Sequence, residues 1–495
     1  MVTKFIVGID LAINNPHRAS VYNSQKTEFM GKSFSFARSY DGFSSLLLKV
    51  GNDPSCEVCF VMEPTSGAWK PLSAFLMAKG YTCYLVKPQK AYDLRKFLKK
   101  HTKSDRIDSQ VLAKLPIIDA EGIYPLTLPR MDLVSLNRYD RQREKIVSSI
   151  SSRKTRIQSL FTAVSPTLCE CFGENKFTRC ARAFLRNYAD PHKVIKLGVQ
   201  RLSTFLSNHA FGSPEPSLAS TIYEASLSAV KIYQEAKEQD SLPFDPCQFQ
   251  EEIDIELDLM EFEEEKVKYL DEKIEALYLK LDPDKVLQSI PGFGPVIAPS
   301  ILGATGNQER FKNIRSYKCF CGLVPRKSQS GSQDKQGLPI TKSSQRVLKK
   351  GYCMAAETAR KYDPESASLY HRLMARGRHH NQAICAVGNN LAGRAFSVIR
   401  RAKLGTRSPV RDNPDAAYVI RNLQGETIDR KAARVLVKEQ FPSKKEREKA
   451  QNLKVKSRQS LPKNRDNSSK VYELPLPADN YIIQGELKKE KFAYT

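Results

Sequence analysis

The stretch that decides the fold is FIVGID at residues 5–10, an apolar run that ends on Asp10. It is too short for a helix, and its β-branched residues predict a buried strand. A second run of this kind, VCFVME at residues 58–63, ends on Glu63. Each of the two predicted strands therefore places a carboxylate at its carboxyl end.

Two further carboxylates lie in a stretch with helical character. Asp105 and Asp108 are three residues apart in KSDRID at residues 103–108, so both would project from one helix face. Carboxylates from two strand ends and one helix can converge and hold a hard divalent cation, Mg²⁺ or Mn²⁺. Singly, each acid is also typical of a turn or a solvated face. Together, their order favours a metal site.

Residues 1–125 alternate predicted strands and helices. The strands are expected at residues 5–10, 17–22, 28–36, 56–63 and 81–86, and the helices at 40–50, 67–79 and 92–115. Three antiparallel strands followed by β-α-β-α is the order of the RNase H and RuvC nuclease fold. The predicted fold class is therefore an α/β domain of this type at the N-terminus.

The rest of the chain is predicted to be mainly helical. Residues 126–285 would hold two coiled-coil helices, paired with each other or across a dimer, with a helical insertion at about 166–250. For the first helix, ordinary packing on a globular core is an equal alternative. Residues 286–402 would form a compact domain, and residues 403–495 a basic, partly disordered tail. The heptad residues are Tyr139, Ile146, Ile150, Ile157, Leu160 and Val164, then Met260, Val267, Leu270, Ile274, Leu277 and Leu281.

The composition indicates a polyanionic partner. The chain has 79 Lys and Arg against 54 Asp and Glu, a net charge of +25, which favours nucleic acid. No long apolar run predicts a membrane span, and the first strand begins too early to leave room for a signal peptide. Scattered cysteines indicate reduced cytosolic thiols. Cys56 and Cys59 form a lone C-x-x-C that core packing explains better than zinc does.

The segment IPGFGPV at residues 290–296 precedes an apolar helix. Gly292 and Gly294 would allow backbone N–H groups to point at a phosphate oxygen where the helix begins. Such a turn is typical of a helix-hairpin-helix element that contacts DNA without sequence preference. A simple turn is an equal alternative.

A polar loop at residues 321–332 carries Ser328, Ser330 and Ser332. Such a loop is ordinarily a flexible connection, and no Ser-His-Asp order accompanies it. Nearby positive charge, however, would favour a phosphate and would stabilise a pentavalent transition state during attack by a hydroxyl. The basic residues are Arg326, Lys327, Lys335, Lys342 and Arg346.

Taken together, these motifs resemble the DEDD-type insertion-sequence transposases, which are related to the Piv DNA invertases and act as bridge-RNA-guided recombinases. In the N-terminal half the resemblance is carried by VGIDLA (7–12), EPT (63–65) and KSDRIDS (103–109). In the C-terminal half it is carried by IPGFGP (290–295), GLVPR (322–326) and SG (330–331). It covers about residues 1–125 and 286–400, and neither the insertion nor the tail.

The resemblance implies a site made of two parts. A RuvC-like domain would hold the tetrad Asp10, Glu63, Asp105 and Asp108 with Mg²⁺ or Mn²⁺. A Tnp domain would supply a serine that becomes joined to DNA, and Ser330 matches that position. The family pattern has a second serine just before it, where this chain has Gln329. Ser328 and Ser332 therefore stay open as alternatives.

The resemblance also implies the partners and the location. We expect a DNA recombinase that acts on donor and target DNA, directed by base pairing of a structured non-coding guide RNA. We expect a homodimer or homotetramer in the cytoplasm of a prokaryotic cell, on the nucleoid. The alternative is a RuvC-like nuclease or Holliday-junction resolvase, which forms no covalent intermediate. A non-catalytic nucleic-acid-binding protein is a second alternative, against which the intact tetrad argues.

Overall fold

The structure, a computed structural model, describes residues 3–51, 56–99, 102, 104–128, 130–173, 175–210, 217–239, 241, 246–330, 333–334, 338–341, 344–406 and 414–442. A mixed sheet with helices on both faces comes first, and a mostly helical region follows it. The predicted order of an α/β region before a helical one is confirmed at this level. The domain boundaries expected at residues 125, 285 and 402 stay predictions.

The elements of the sheet region follow one another closely. They are β1 (Thr3–Asp10), β2 (His17–Asn23), β3 (Glu28–Phe29), β4 (Phe34–Phe36), α1 (Tyr40–Val50), β5 (Cys56–Met62), α2 (Trp69–Ala78), β6 (Thr82–Leu85), α3 (Pro88–Lys99) and α4 (Asp105–Ile118). The strand order is β3-β2-β1-β5-β6, and β4 also pairs with β2. Strand β1 pairs antiparallel with β2 and parallel with β5, and β5 pairs parallel with β6.

Two predicted elements are divided in the structure. The strand expected at residues 28–36 is two short strands, β3 and β4, separated by a turn in which Gly31 has a φ of +70°. The helix expected at residues 92–115 is two helices, because Ser104 caps a new one and accepts a hydrogen bond from the Ile107 backbone N–H at 3.3 Å. Pro116 does not end α4, which continues to Ile118.

Strand β1 is buried on both faces, and its side chains alternate between two cores. Val7 and Ile9 pack with residues of α1 and α2, such as Leu46. Ile6 points to the other face and packs with residues of α4, such as Val111. Alternation along the strand puts Gly8 and Asp10 on the α4 side with Ile6.

Helix α4 lies directly against β1 because Gly8 has no side chain. A Cβ atom at Gly8 would lie 2.1 Å from the carbonyl oxygen of Ser109 and 2.3 Å from the backbone nitrogen of Ala113. Ser109 in turn shares a hydrogen bond of 2.8 Å with Ser20, the residue paired with Gly8 on β2. The glycine therefore sets the separation between the helix and the sheet.

Among the described residues, six α-helices precede the second set of motifs. They are α5 (Met131–Val164), α6 (Arg179–Tyr188), α7 (Pro191–Leu197), α8 (Val199–His209), α9 (Leu218–Glu238) and α10 (Pro246–Leu281). The remaining elements are α11 (Ile297–Thr305), α12 (Ile314–Cys321), β7 (Gln329–Ser330), β8 (Gln333–Asp334), α13 (Arg346–Tyr362), α14 (Pro364–Ala375), α15 (His380–Arg401) and α16 (Arg430–Gln440). Short 3₁₀ helices lie at Leu168–Phe172, Val286–Ser289, Gln308–Arg310 and Pro414–Ala416.

The two long helices, α5 and α10, pack antiparallel against each other within one chain. Ion pairs follow the seam: Arg143 pairs with Asp271, and Arg153 contacts both Glu256 (2.8 Å) and Glu263 (3.0 Å). Asp271, Glu256 and Glu263 of α10 are thus paired with arginines of α5. The expected insertion is helical, and α6 to α9 share an apolar core with the distal ends of these two helices.

A separate core joins the ends of α5 and α10 to α11–α15. At its centre the buried hydroxyl of Tyr317 hydrogen-bonds to Tyr352 at 2.7 Å and to Thr305 at 2.9 Å. Burial raises the pKa of Tyr317 and Tyr352 well above its usual range, so both stay neutral donors. One hydroxyl network therefore connects three helices.

Part of the predicted tail is folded onto this core. Helix α16 packs against α13 and α14, and the ring of Phe441 stacks on His371 at 4.8 Å. Arg394 of α15 forms a buried ion pair with Asp363 and also lies over the ring of Tyr418. The contact with Tyr418 joins the segment before α16 to α15. Residues 443–495 lie outside the described part. In the part of the chain that is described, every helix is too short or too polar to cross a membrane.

The contact at Gly8 can be tested by stability. We expect Gly8→Ala to lower the free energy of unfolding by roughly 1–3 kcal/mol, because the new methyl group would force α4 away from β1. Chemical denaturation monitored by circular dichroism measures the change. Gly67→Ala is the control, since no atom lies within 4 Å of its added Cβ. Equal stability of the two variants would contradict the close packing of α4.

Candidate functional site

Asp10 and Glu63 lie at the same edge of the sheet. Ile9 of β1 is in register with Met62 of β5, and the two acids are the next residues of these parallel strands. Glu63 follows Val61 by two residues, and Val61 belongs to the core beneath α4. Both acids therefore face the α4 side of the sheet, and both are half-buried.

Helix α4 brings Asp105 and Asp108 to that edge. Ser109 is next to Ser20, and the Lys114 ammonium lies 5.7 Å from the ring of Tyr22, which pairs with Ile6. The helix thus runs antiparallel to β1, and its first turn lies toward the carboxyl end of the strand. Asp105 and Asp108 occupy that first turn, where the partial positive charge of a helix N-terminus stabilises carboxylates.

Arg95 is a neighbour of this edge that sequence reasoning missed. Its guanidinium donates to Asp108 at 2.8 Å and lies 5.5 Å from the ring centre of Tyr92 on the same helix, α3. Asp108 is therefore held by a cation from the preceding helix, thirteen residues earlier in the chain. The sequence offers no signal for this pair, because it depends on how α3 packs beside α4.

The four carboxylates fit a divalent cation in their chemistry, since carboxylate oxygens are the ligands that Mg²⁺ and Mn²⁺ take. Topology brings all four to one edge. Even so, in the described residues no three side chains of the types Asp, Glu, His and Cys are grouped closely enough to hold an ion. Cys59 is buried in the core, as expected, and the side chain of Cys56 lies outside the described residues.

His17 fixes the loop that follows Asp10. Its Nδ1 atom accepts a hydrogen bond from the Ala12 backbone N–H at 3.1 Å, and its ring packs on Phe36 and Phe43. Burial lowers the pKa of His17, and the charge of Arg38 lowers it further. The imidazole is thus suited to a neutral, accepting role. It orders the backbone next to the carboxylate edge and was not identified from the sequence.

The serine loop is a hairpin with a fixed base. Its two arms pair where the Arg326 N–H donates to Pro339 O at 3.0 Å and where Pro325 bridges to Ile340. Farther out, Gln329 and Ser330 pair with Asp334 and Gln333. Below the base, a Cβ at Gly322 would lie 2.1 Å from that of Ser344, so the two ends of the segment touch.

The hairpin exposes two of the three candidate serines. Ser330 ends β7, and both it and Ser328 are exposed. Ser332 lies outside the described residues, as do Gly331, Lys335 and Lys342. The other basic residues expected around the serines are exposed as well: Arg326, Lys327 and Arg346. The structure also adds Lys349, which donates to Thr341 O at 3.2 Å and holds the returning arm.

The Gly-Phe-Gly turn differs from its prediction. It joins the 3₁₀ helix Val286–Ser289 to α11, so the two described elements beside it are not the paired α-helices of a helix-hairpin-helix. Gly292 has a φ of +90°, and its Cβ would lie 2.3 Å from the carbonyl oxygen of Ala355. It therefore has a packing role that any side chain would disturb. Gly294, in contrast, has no atom within 4 Å of its added Cβ.

Comparison with known proteins separates the chain into two matched parts. Residues 7–166, which include the carboxylate edge, match the family model for DEDD transposases related to insertion sequence IS110. Residues 284–371, which include the serine hairpin, match the model described as transposase, IS116/IS110/IS902 family. The two family models together identify a DEDD transposase, whose first domain implies an RNase H-like fold. The chain belongs to the IS110/IS116/IS902 family of transposases.

Relatives agree with this assignment. The chain is 22% identical to an insertion element IS116 protein of Streptomyces clavuligerus over 354 residues, which is 71% of this chain and 85% of that protein. It is 22% identical to an insertion element IS110 protein of Streptomyces coelicolor, over 60% of this chain and 71% of that protein. It is also 29% identical to the pilin gene-inverting protein of Moraxella bovis, over 23% of this chain and 36% of that protein.

Proposed function

We propose that this transposase cuts and rejoins DNA through a covalent phosphoserine intermediate, with the carboxylate edge and the serine hairpin as the two halves of its site. The observation that carries the proposal is that Asp10, Glu63 and the first turn of α4 lie at one edge of the sheet, in a chain that also exposes Ser330 at a hairpin. The chain would act on donor and target DNA as a homodimer or homotetramer, so that two cut ends can be exchanged.

Asp10, Glu63, Asp105 and Asp108 would hold Mg²⁺ or Mn²⁺. When bound, the ion would polarise the scissile phosphate and favour loss of the serine proton. The strand ends fix the backbone of Asp10 and Glu63, and the Ser104 cap fixes the first turn of α4. Arg95 holds the Asp108 carboxylate at 2.8 Å and so positions it at this edge.

Ser330 would supply the nucleophile. Its Oγ atom forms a bond to phosphorus, the bond from phosphorus to the 3′ oxygen breaks, and a free 3′-hydroxyl results. The energy of the phosphodiester is kept in the phosphoserine linkage, so a 3′-hydroxyl of the exchanged strand can reverse the step. Arg326, Lys327 and Arg346 would stabilise the charge on the phosphate during both transfers.

A structured non-coding RNA encoded beside the transposase would pair with donor and target DNA and provide the sequence specificity. The net charge of +25 supports a nucleic-acid partner. The exposed Arg326, Lys327 and Arg346 and the basic segments near the C-terminus are suited to phosphate contacts, which carry no sequence information by themselves.

The carboxylate edge is tested by Asp10→Asn. The change removes one ligand oxygen charge but little volume, and we expect strand cleavage and rejoining to fall by at least roughly a hundredfold. A nicking and strand-transfer assay with Mg²⁺ measures this, and a gel-shift assay should show DNA binding unchanged. Asp41→Asn is the matched control, because Asp41 is exposed on α1, across the sheet from α4. Full activity of the wild type in EDTA would refute a metal role.

The nucleophile is tested by Ser330→Ala. This protein keeps the tetrad and the basic residues, so it should still bind DNA and RNA but form no covalent adduct. Ser328→Ala and Ser332→Ala should retain most activity, because a nucleophile must be placed to within about 0.5 Å and one serine fills that position. A nicked substrate that traps the adduct, followed by peptide mapping, locates the attachment. DNA attached at Ser328 would move the assignment, and cleavage without any adduct would indicate a resolvase.

The guide RNA is tested by purification. The protein should retain a discrete RNA from its own locus, and its affinity should fall steeply as salt rises, because phosphate contacts release counterions. Sequencing of the bound RNA and a salt titration measure both effects. Normal recombination after exhaustive RNase treatment and a high-salt wash would show that no guide is required.

A further inference from the structure

Helices α13 and α15 of the serine-bearing domain lie unusually close together. A Cβ atom at Gly388 of α15 would lie 3.3 Å from the carbonyl oxygen of Tyr352 on α13. Both helices are well packed here, since Tyr352 is fully buried and Val387 is too. The short separation brings the side chains beside Tyr352 into contact with those one turn from Gly388.

Two cysteines face each other at this contact. Cys353 follows Tyr352 on α13, and Cys385 lies one turn before Gly388 on α15. The pair therefore lies between the contact of Tyr352 with Gly388 and the ion pair of Glu357 with His380 at 2.7 Å, and each thiol shifts the pKa of the other. Both side chains are free thiols and only partly buried, so small reagents can reach them. Two facing thiols on closely packed helices are what a disulfide requires, since the Cα atoms it joins lie only about 4.4–6.8 Å apart.

The pair is chemically asymmetric. The neighbouring Cys353 thiol lowers the pKa of Cys385, and the nearby Lys349 ammonium lowers it further, although burial opposes them. The neighbouring Cys385 thiol and burial raise the pKa of Cys353. Cys385 is thus the better thiolate, and Cys353 is placed to resolve any adduct that forms on it.

We propose that Cys353 and Cys385 form a reversible dithiol–disulfide site that a hydroperoxide oxidises. The Cys385 thiolate attacks a peroxide oxygen, the O–O bond breaks, and a sulfenic acid results. The Cys353 sulfur then attacks the Cys385 sulfur and displaces hydroxide, which leaves as water with the Cys353 proton. Two thiols and one hydrogen peroxide give one disulfide and two waters, and the two electrons pass to the peroxide.

The position of the site connects it to the serine hairpin. Lys349 lies one helical turn before Cys353 on α13 and holds Thr341 of the returning arm at 3.2 Å. A disulfide would join α13 to α15 one helical turn from the contact of Lys349 with Thr341. The proposal concerns thiol chemistry alone, so it holds or fails independently of the nucleophile and of the metal.

The first test uses the full-length wild-type protein. It is reduced, freed of reductant, treated with hydrogen peroxide, alkylated with N-ethylmaleimide and digested without reduction for mass spectrometry. We expect linked peptides containing Cys353 and Cys385, which dithiothreitol separates. Cys385→Ser should lose the linked product, whereas Cys319→Ser, a change at an exposed thiol, should keep it. Recovery of Cys353 and Cys385 as separate alkylated peptides, while Cys319 is oxidised, would overturn the proposal.

A second test measures the contact without oxidation. Iodoacetamide reacts with thiolates, so the labelling rate of Cys385 should rise through a midpoint below the value of about 8.5 that is ordinary for cysteine. Cys353→Ala removes the neighbouring thiol that lowers the pKa of Cys385 and should move that midpoint upward. Circular dichroism confirms that the variant is folded. An unchanged midpoint in a folded Cys353→Ala protein would show that the two sulfurs do not interact.

Discussion

Helix α4 brings Asp105 and Asp108 to the sheet because no side chain separates its backbone from β1 at Gly8. The backbone of a helix packed on a sheet is usually separated from the strands by the side chains of both elements. Here the Ser109 carbonyl meets the strand itself, so the first turn of α4 reaches the edge where β1 and β5 end. The absence of a side chain at Gly8 therefore lets Asp105 and Asp108 lie toward the sheet edge at which β1 ends with Asp10.

The carboxylate edge is supported by side chains from neighbouring elements. His17 holds the loop after Asp10 through the Ala12 N–H, and Arg38 binds the Ile13 carbonyl in the same loop. Arg95 holds Asp108 from the neighbouring helix. Like charges at one edge repel one another, and the helix N-terminus together with Arg95 offsets part of that repulsion.

The serine hairpin depends on a different constraint. It is a long excursion between α12 and α13, and its ends are brought together where Gly322 leaves room for Ser344. The hydroxyl network of Tyr317 and Tyr352 then fixes α12 to α13 inside the core. An exposed loop thus rises from a rigid base, as sites that position a reactive side chain require. The long α5–α10 pair, joined by Arg153 and its two glutamates, carries the helical insertion away from this domain.

The sequence by itself determined the strands that end on Asp10 and Glu63, the helical spacing of Asp105 and Asp108, and the long helices α5 and α10. These features follow from local periodicity, which depends only on residues close together in the sequence. The sequence-based prediction was wrong where a local pattern allows either one element or two. Residues 28–36 contain two strands instead of one, and residues 92–115 belong to two helices instead of one. Only the tertiary structure decided the direction of α4 over β1 and the pairing of Arg95 with Asp108. It also decided the hydrogen bond from Lys349 to Thr341 and the placement of Cys353 beside Cys385. Each of these joins separate secondary-structure elements, and their relative placement depends on packing that no short window of sequence contains.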